Sequence, residues 1–298
     1  MHITKCNKEN EIHLIFFHGI GDNYKSAHNY VQGLNGSNNN HAHKYPSAFQ
    51  NYITYAAVSF LFLVASVSAP IAILLLISPI TAGVVGLASL AALTCIFLSV
   101  MLIFIPFINK NQSLFKPSIE EINKLIDNGV RPENIILFGH SFGGAVASEV
   151  LKHFADRDVK LGGIIFTSTF SSFHTAIEHF PMPQTKILSI LPSSILKKML
   201  KALDLDFDLV NNIRKLQDEG KLNMPVIVIN SKRDHLIPQP AQLAHAIEND
   251  VLPREKLIKT VNSKSYEDDP HNGVLSGWEL DENLADLIPN KIDKTMNR

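Results

Sequence analysis

The thirteen residues from Ile135 to Ala147 constrain this chain most: Ile-Ile-Leu-Phe-Gly-His-Ser-Phe-Gly-Gly-Ala-Val-Ala. Four consecutive apolar residues read as a short buried strand. Gly139 and Gly143 bracket Ser141, and Gly144 to Leu151 then reads as a helix with Ala145, Val146, Ala147, Val150 and Leu151 apolar. A strand that gives way to a helix within so few residues belongs to an α/β fold, a mostly parallel sheet with flanking helices. The residue at the tip of such a turn is held in a strained backbone conformation, and side chains two positions to either side of it would clash. Glycine at 139 and 143 removes that clash and lets the Ser141 hydroxyl project above the sheet end. The helix starting beside it points its positive end at the same spot. The Phe142 backbone N–H is a candidate donor to an oxyanion forming there.

Charge patterning divides the rest of the chain. No Asp, Glu, Lys or Arg occurs in the 65 residues from Tyr45 to Asn109. The remaining 233 positions hold all 27 basic and all 28 acidic residues, an ordinary proportion for a soluble domain. The expectation is a soluble domain interrupted by an apolar insertion. Within it the 53 residues from Ala56 to Ile108 are almost wholly apolar. That length holds two transmembrane helices of about 20 residues each, read as Ala56–Ile77 and Val84–Phe107. Tyr52, Tyr55, Phe104 and Phe107 are placed like interfacial aromatics, and Lys44, Lys110 and Lys116 flank the pair, so both ends are expected on the cytosolic side. A hydrophobic cap or a dip into one leaflet is the other reading. Residues 1–10 are polar and show no secretory signal pattern. A net charge of −1 gives no electrostatic case for nucleic acid. The two cysteines, Cys6 and Cys95, do not read as a disulfide framework.

Other strands announce themselves as apolar runs. Glu11 to Phe17 leads into His18-Gly19-Ile20-Gly21-Asp22-Asn23 and a helix over residues 24–34. A backbone N–H in that turn, at Ile20, is the candidate second oxyanion donor. Asn35 to His43 reads as a loop; its His41 and His43 lack the cysteine or carboxylate company of a metal site. A helix is expected to start at Ser118, with Ser118 and Glu121 as its capping box. Residues 161–167 form the next strand, and 168–223, interrupted by prolines, read as a small helical lid. Met224 to Asn230 is another strand, with Asp234 just beyond its end. Lys256 to Val261 is the last, followed by a polar loop containing His271.

Ser141, Asp234 and His271 therefore each follow a predicted parallel strand. The strand C-terminal ends of an open α/β sheet converge on one crevice, so residues far apart in sequence can meet there. Their roles would be complementary. A serine hydroxyl needs a neutral imidazole to take its proton, and the imidazole needs a carboxylate to fix its tautomer. His235, Asp268 and Asp269 are rival candidates. His174 and His179 read as lid residues, and Asp204, Asp206 and Asp208 as solvated caps. No dinucleotide fingerprint or metal-ligand spacing is present, so no cofactor is expected.

At these residues the chain resembles the α/β-hydrolase superfamily of serine hydrolases, and most of all its membrane-anchored, bem46-like branch of lipases, thioesterases and esterases. The matching text is His18-Gly19-x-x-x-Asn23, Pro132 to Gly144, Pro225 to Asp234 and the His271 loop. It covers residues 10–35 and 117–280. The resemblance implies an α/β-hydrolase fold and a Ser141, His271, Asp234 triad acting on acyl esters or thioesters. Relatives carry an Asp-x-Arg-Gly turn after the strand that follows the first helix. Here no such turn exists, and either the strand is missing or residues 51–55 supply it.

The expected organisation is a hydrolase domain built from residues 1–55, 109–167 and 224–298. The transmembrane hairpin 56–108 and the lid 168–223 are inserted into it. The expected partners are a lipid-like acyl substrate and a bilayer, with the catalytic domain facing the cytosol. The alternatives are a hydrolase of soluble small esters and a catalytically silent scaffold.

Overall fold

Every apolar run outside the charge-free segment that was read as a strand forms one, and the strands are parallel. They are β1 (His13–Phe17), β3 (Ile135–His140), β4 (Gly163–Thr167), β5 (Val226–Asn230) and β6 (Ile258–Asn262). A sixth, β2 (Asn40–Ala42), lies where the sequence suggested a loop. The sheet order is β2-β1-β3-β4-β5-β6. The structure, a computed structural model, describes residues 12–19, 24–33, 40–42, 112–181, 192–202, 205–248, 258–264 and 269–287. They belong almost wholly to one unit, formed by residues 1–44, 115–201 and 205–298. The second unit, residues 45–114 and 202–204, includes the expected hairpin 56–108, which lies outside the described residues. Among the described residues no helix is long and apolar enough to cross a membrane.

β2 corrects two readings. Asn40, His41 and Ala42 pair in parallel with Leu14, Ile15 and Phe16. The sheet therefore has a strand after its first helix; residues 51–55, the other candidate for that place, lie outside the described residues. Three residues without an apolar run carry no period to detect. Among the described strands β2 lies at the edge of the sheet and pairs with β1. His41 there bonds Glu121 at 2.8 Å and stacks on His13, ring centroids 5.6 Å apart.

Alternate strand residues face opposite sides of a sheet. One face presents Leu14, Phe16, Ile136, Phe138, Ile165, Ile227 and Ile229. Ala27 and Tyr30 of α1 (Tyr24–Gly33), Val274, and Leu280 and Leu284 of α8 (Trp278–Leu287) cover it. Tyr30 also donates to the Leu275 carbonyl at 2.6 Å, tying α1 to the turn after His271. Burial and Asp281 raise the Tyr30 pKa, which keeps the phenol a donor. On the other face the elbow helix α3 (Phe142–Ala155) lies against β3, β1 and β4.

The helix expected from Ser118 is longer. α2 spans Gln112–Asp127 with Pro117 inside it, and Ser118 is buried in its body instead of capping it. Of the segment expected as a lid, α4 (Phe173–His179) and α5 (Ser193–Ala202) share an apolar cluster of Ile177, Leu196 and Leu200. α6 (Leu209–Asp218) lies against α3, with Asn212 donating to Glu149 at 2.7 Å and Ser148 at 3.2 Å. Asp208 caps α6 by accepting from the Asn211 N–H, in keeping with its reading as a cap. The remaining helix is α7 (Leu243–Glu248).

Candidate active site

β1 is followed in sequence by β2 on one side of it, whereas β3 and all later strands lie on the other. Such a reversal opens a crevice at the C-terminal strand ends. Gly19, two residues beyond β1, meets Ser141, one residue beyond β3, in that crevice. A Cβ on Gly19 would sit 3.2 Å from the Ser141 Cβ and 3.6 Å from its Oγ.

Ser141 has φ 53° and ψ −123°, a conformation that L-residues rarely adopt. The glycines around it are required by space. A Cβ on Gly139 would lie 2.5 Å from the Gly144 Cα, and one on Gly143 only 1.9 Å from the Phe17 carbonyl oxygen. Gly144 is equally constrained, since its Cβ would fall 2.3 Å from Thr169 Oγ1. α3 thus starts tight against β1 and β4, with Phe142 as its first residue. The Phe142 ring packs edge-on against Phe207 and Phe173, centroids 5.5 and 6.0 Å away. Ile20 lies outside the described residues. Its neighbour His18 is buried and donates from Nδ1 to the Gly19 carbonyl at 3.0 Å.

Asp234 and His271 meet beside this turn. Asp234, four residues beyond β5, is buried, and its Oδ2 lies 2.7 Å from His271 Nδ1. A carboxylate oxygen only accepts, so Nδ1 carries the proton and Nε2 is left as the basic nitrogen. Asp234 Oδ1 accepts from the backbone N–H groups of Leu236 and Ile237, each at 2.9 Å. The carboxylate is thereby fixed with one oxygen aimed at the imidazole. Gln242, fully buried, braces the loop carrying it. Its Nε2 donates to the Ser231 and Ile237 carbonyls at 2.8 and 2.9 Å, and its Oε1 accepts from Asn230.

The rivals are placed elsewhere. His235 is exposed, and Asp204 and Asp268 lie outside the described residues. Asp269 accepts twice from Asn272, from its N–H at 3.1 Å and its Nδ2 at 2.9 Å. These bonds hold the Asp269 carboxyl below the usual range. His174 pairs with Glu178 in α4 at 3.2 Å.

Sequence reasoning passed over His140, between Gly139 and Ser141. It is buried, and its ring centroid lies 5.1 Å from that of His271. Its Nε2 faces Asn272 Oδ1 at 3.2 Å and its Nδ1 faces Thr167 Oγ1 at 3.1 Å. Asn272 Nδ2 donates to Asp269, so Oδ1 is the atom offered to His140 and Nε2 must donate to it. The Thr167 hydroxyl then donates to Nδ1, and His140 is a neutral imidazole. Burial first, and the nearby His271 second, push it down from 6.5 to about 3. The sign of the consequence is fixed. The unfolded chain binds this proton near pH 6.5 and the folded protein resists until about pH 3, so stability is lost as pH falls through that window. The slope from this one group is up to about 1.4 kcal/mol per pH unit. His140→Gln should flatten the pH dependence of urea-unfolding stability by that amount in the upper half of the window. An unchanged slope would contradict the neutral His140.

The parallel sheet, the strained serine turn and the buried Asp–His contact define an α/β-hydrolase fold. Residues 104–194, which include the serine turn, match the family model described as phospholipase/carboxylesterase. The match covers about a third of the chain. Among solved structures, an α/β hydrolase from Vibrio vulnificus is similar over 60% of this chain and 56% of its own, with 18% identity and a TM-score of 0.41. An esterase from Pyrococcus furiosus matches over 60% of this chain and 61% of its own, with 17% identity and a TM-score of 0.37. The chain therefore spans less than two thirds of either protein. No curated protein matches the sequence.

Proposed function

We propose that this protein is a membrane-anchored serine hydrolase that cleaves acyl ester or thioester bonds in lipid or lipidated substrates. The observation that carries the reading is the buried 2.7 Å contact between Asp234 and His271 at the sheet end that also bears the strained Ser141. In this mechanism His271 Nε2 takes the hydroxyl proton as Ser141 Oγ attacks the acyl carbonyl. The backbone N–H groups of Phe142 and Ile20 receive the oxyanion. Collapse of the tetrahedral intermediate breaks the bond to the alcohol or thiol, which leaves with the proton from the imidazolium. Water, deprotonated by the same nitrogen, then releases the acyl group as a carboxylic acid. Asp234 holds the imidazole tautomer and stabilises the imidazolium. The test is labelling of the full-length protein with a fluorophosphonate and location of the adduct by mass spectrometry. An adduct on Ser141 is expected; absence of any adduct would overturn the reading.

The membrane part of the proposal rests on the charge-free run from Tyr45 to Asn109. β1 and β3 lie on either side of that run in sequence and pair in one sheet, so any spans between them must be even in number. Two fit 53 apolar residues, with residues 1–50 and 115–298 on the cytosolic face and the lid over 168–223. The protein should resist carbonate extraction, and protease should spare only a fragment of about 50 residues. Release by carbonate would instead favour a folded apolar cap.

A further inference from the structure

Three consecutive residues at the end of β4 reach both halves of the site. The Thr167 carbonyl accepts from the Ser141 N–H at 2.9 Å, and Thr169 Oγ1 donates to the Ser141 carbonyl at 2.7 Å. The strained turn is thus held at both faces of its peptide backbone. Between them, Ser168 Oγ donates to the His271 carbonyl at 2.8 Å. Ser168 is fully buried and has φ 45°. That left-handed conformation breaks the side-chain alternation of the strand, so the hydroxyl need not follow its neighbours' pattern and reaches the His271 loop. A second tie runs from the Thr167 hydroxyl through the His140 ring to Asn272, next to His271. The acid loop is braced by Gln242, whose neighbour Leu243 donates its N–H to the Thr169 carbonyl at 3.0 Å.

We propose that Thr167-Ser168-Thr169 is a positioning element that sets the separation of Ser141 from His271. The inference rests on the assignment of those two residues as nucleophile and base. A helix–strand register shift between β3 and the His271 loop would otherwise alter that separation, because the two segments are 130 residues apart in sequence. One strand end gripping both removes that freedom.

The test uses the full-length protein in detergent, a p-nitrophenyl ester, and the rate of fluorophosphonate labelling. Ser168→Ala should lower kcat and the labelling rate about tenfold with KM unchanged, the effect of one buried hydrogen bond. Ser168→Gly, which adopts φ 45° without strain, should show the same loss and serves if Ser168→Ala does not fold. Thr169→Val should lose activity similarly, and Thr169→Ser should restore it to within about twofold. A purely structural role predicts a lower Tm with kcat unchanged well below it, and that result overturns the proposal. The exchange rate of the His271 Nδ1 proton, read by NMR, is independent of activity. Faster exchange in Ser168→Ala supports positioning and unchanged exchange opposes it. If the wild-type protein takes no label on Ser141, the hydrolase reading fails and this exchange measurement alone decides the role of Ser168.

Discussion

Ser141→Ala should abolish fluorophosphonate labelling and lower kcat on the order of 10⁶-fold, the loss seen when a serine nucleophile is removed. The fold should survive, because the substitution removes one oxygen from a side chain that is only partly buried. Stability offers a second readout. Ser141 is held at φ 53°, which costs on the order of 1–3 kcal/mol for a residue with a Cβ. Ser141→Gly should relieve that strain and come out inactive yet more stable than Ser141→Ala by about 1 kcal/mol. A turn that only reverses the chain would have no reason to retain a strained residue, so the combination marks a site where conformation serves chemistry. Full activity in Ser141→Ala would sink the assignment.

Asp234→Asn is expected to lower kcat about 10⁴-fold, and His271→Ala nearly as much as Ser141→Ala. The geometry explains why an isosteric change is so damaging. Asp234 Oδ1 accepts from two backbone N–H groups and Oδ2 from the imidazole. An asparagine must point its NH₂ one way or the other. Aimed at His271, it forces the imidazole proton to Nε2 and removes the base. Aimed at the backbone, it faces two donors with a third. Neither arrangement leaves a basic Nε2 at no cost. If Asp234→Asn stayed near wild type and Asp269→Asn were inactive, the acid would lie in the His271 loop, although Asp269 is engaged by Asn272.

The sheet was legible because fully buried parallel strands read as continuous apolar runs; β1 and β3 are buried at every position. The serine turn was legible because its glycines are dictated by clashes that sequence spacing alone encodes. Asp234 and His271 could be nominated because each follows a strand, and the crevice rule does the rest. β2 was not legible: three residues at an edge, one of them apolar, show no period. Nor were His140, Ser168 and Asn272. Their contacts join segments separated by 103 and 132 residues, and a polar residue gives no sign in sequence of which distant group satisfies it. His140 and Asn272 do adjoin Ser141 and His271, which was the one available signal.

The pairing of β1 with β3 has a consequence for synthesis. His13 lies opposite Ile135 in the centre of the sheet, and the charge-free run is translated between them. On a ribosome adding about 5–20 residues per second, His-Leu-Ile-Phe-Phe therefore waits on the order of ten seconds for its central neighbour. Until then, among the described strands, the three-residue β2 is its available partner. A strand of that composition with an open edge is prone to join other chains. Biogenesis of this protein is thus a race in which its first described strand depends on prompt synthesis of the apolar residues that follow it. Slowing translation of those residues would be felt first as aggregation through β1.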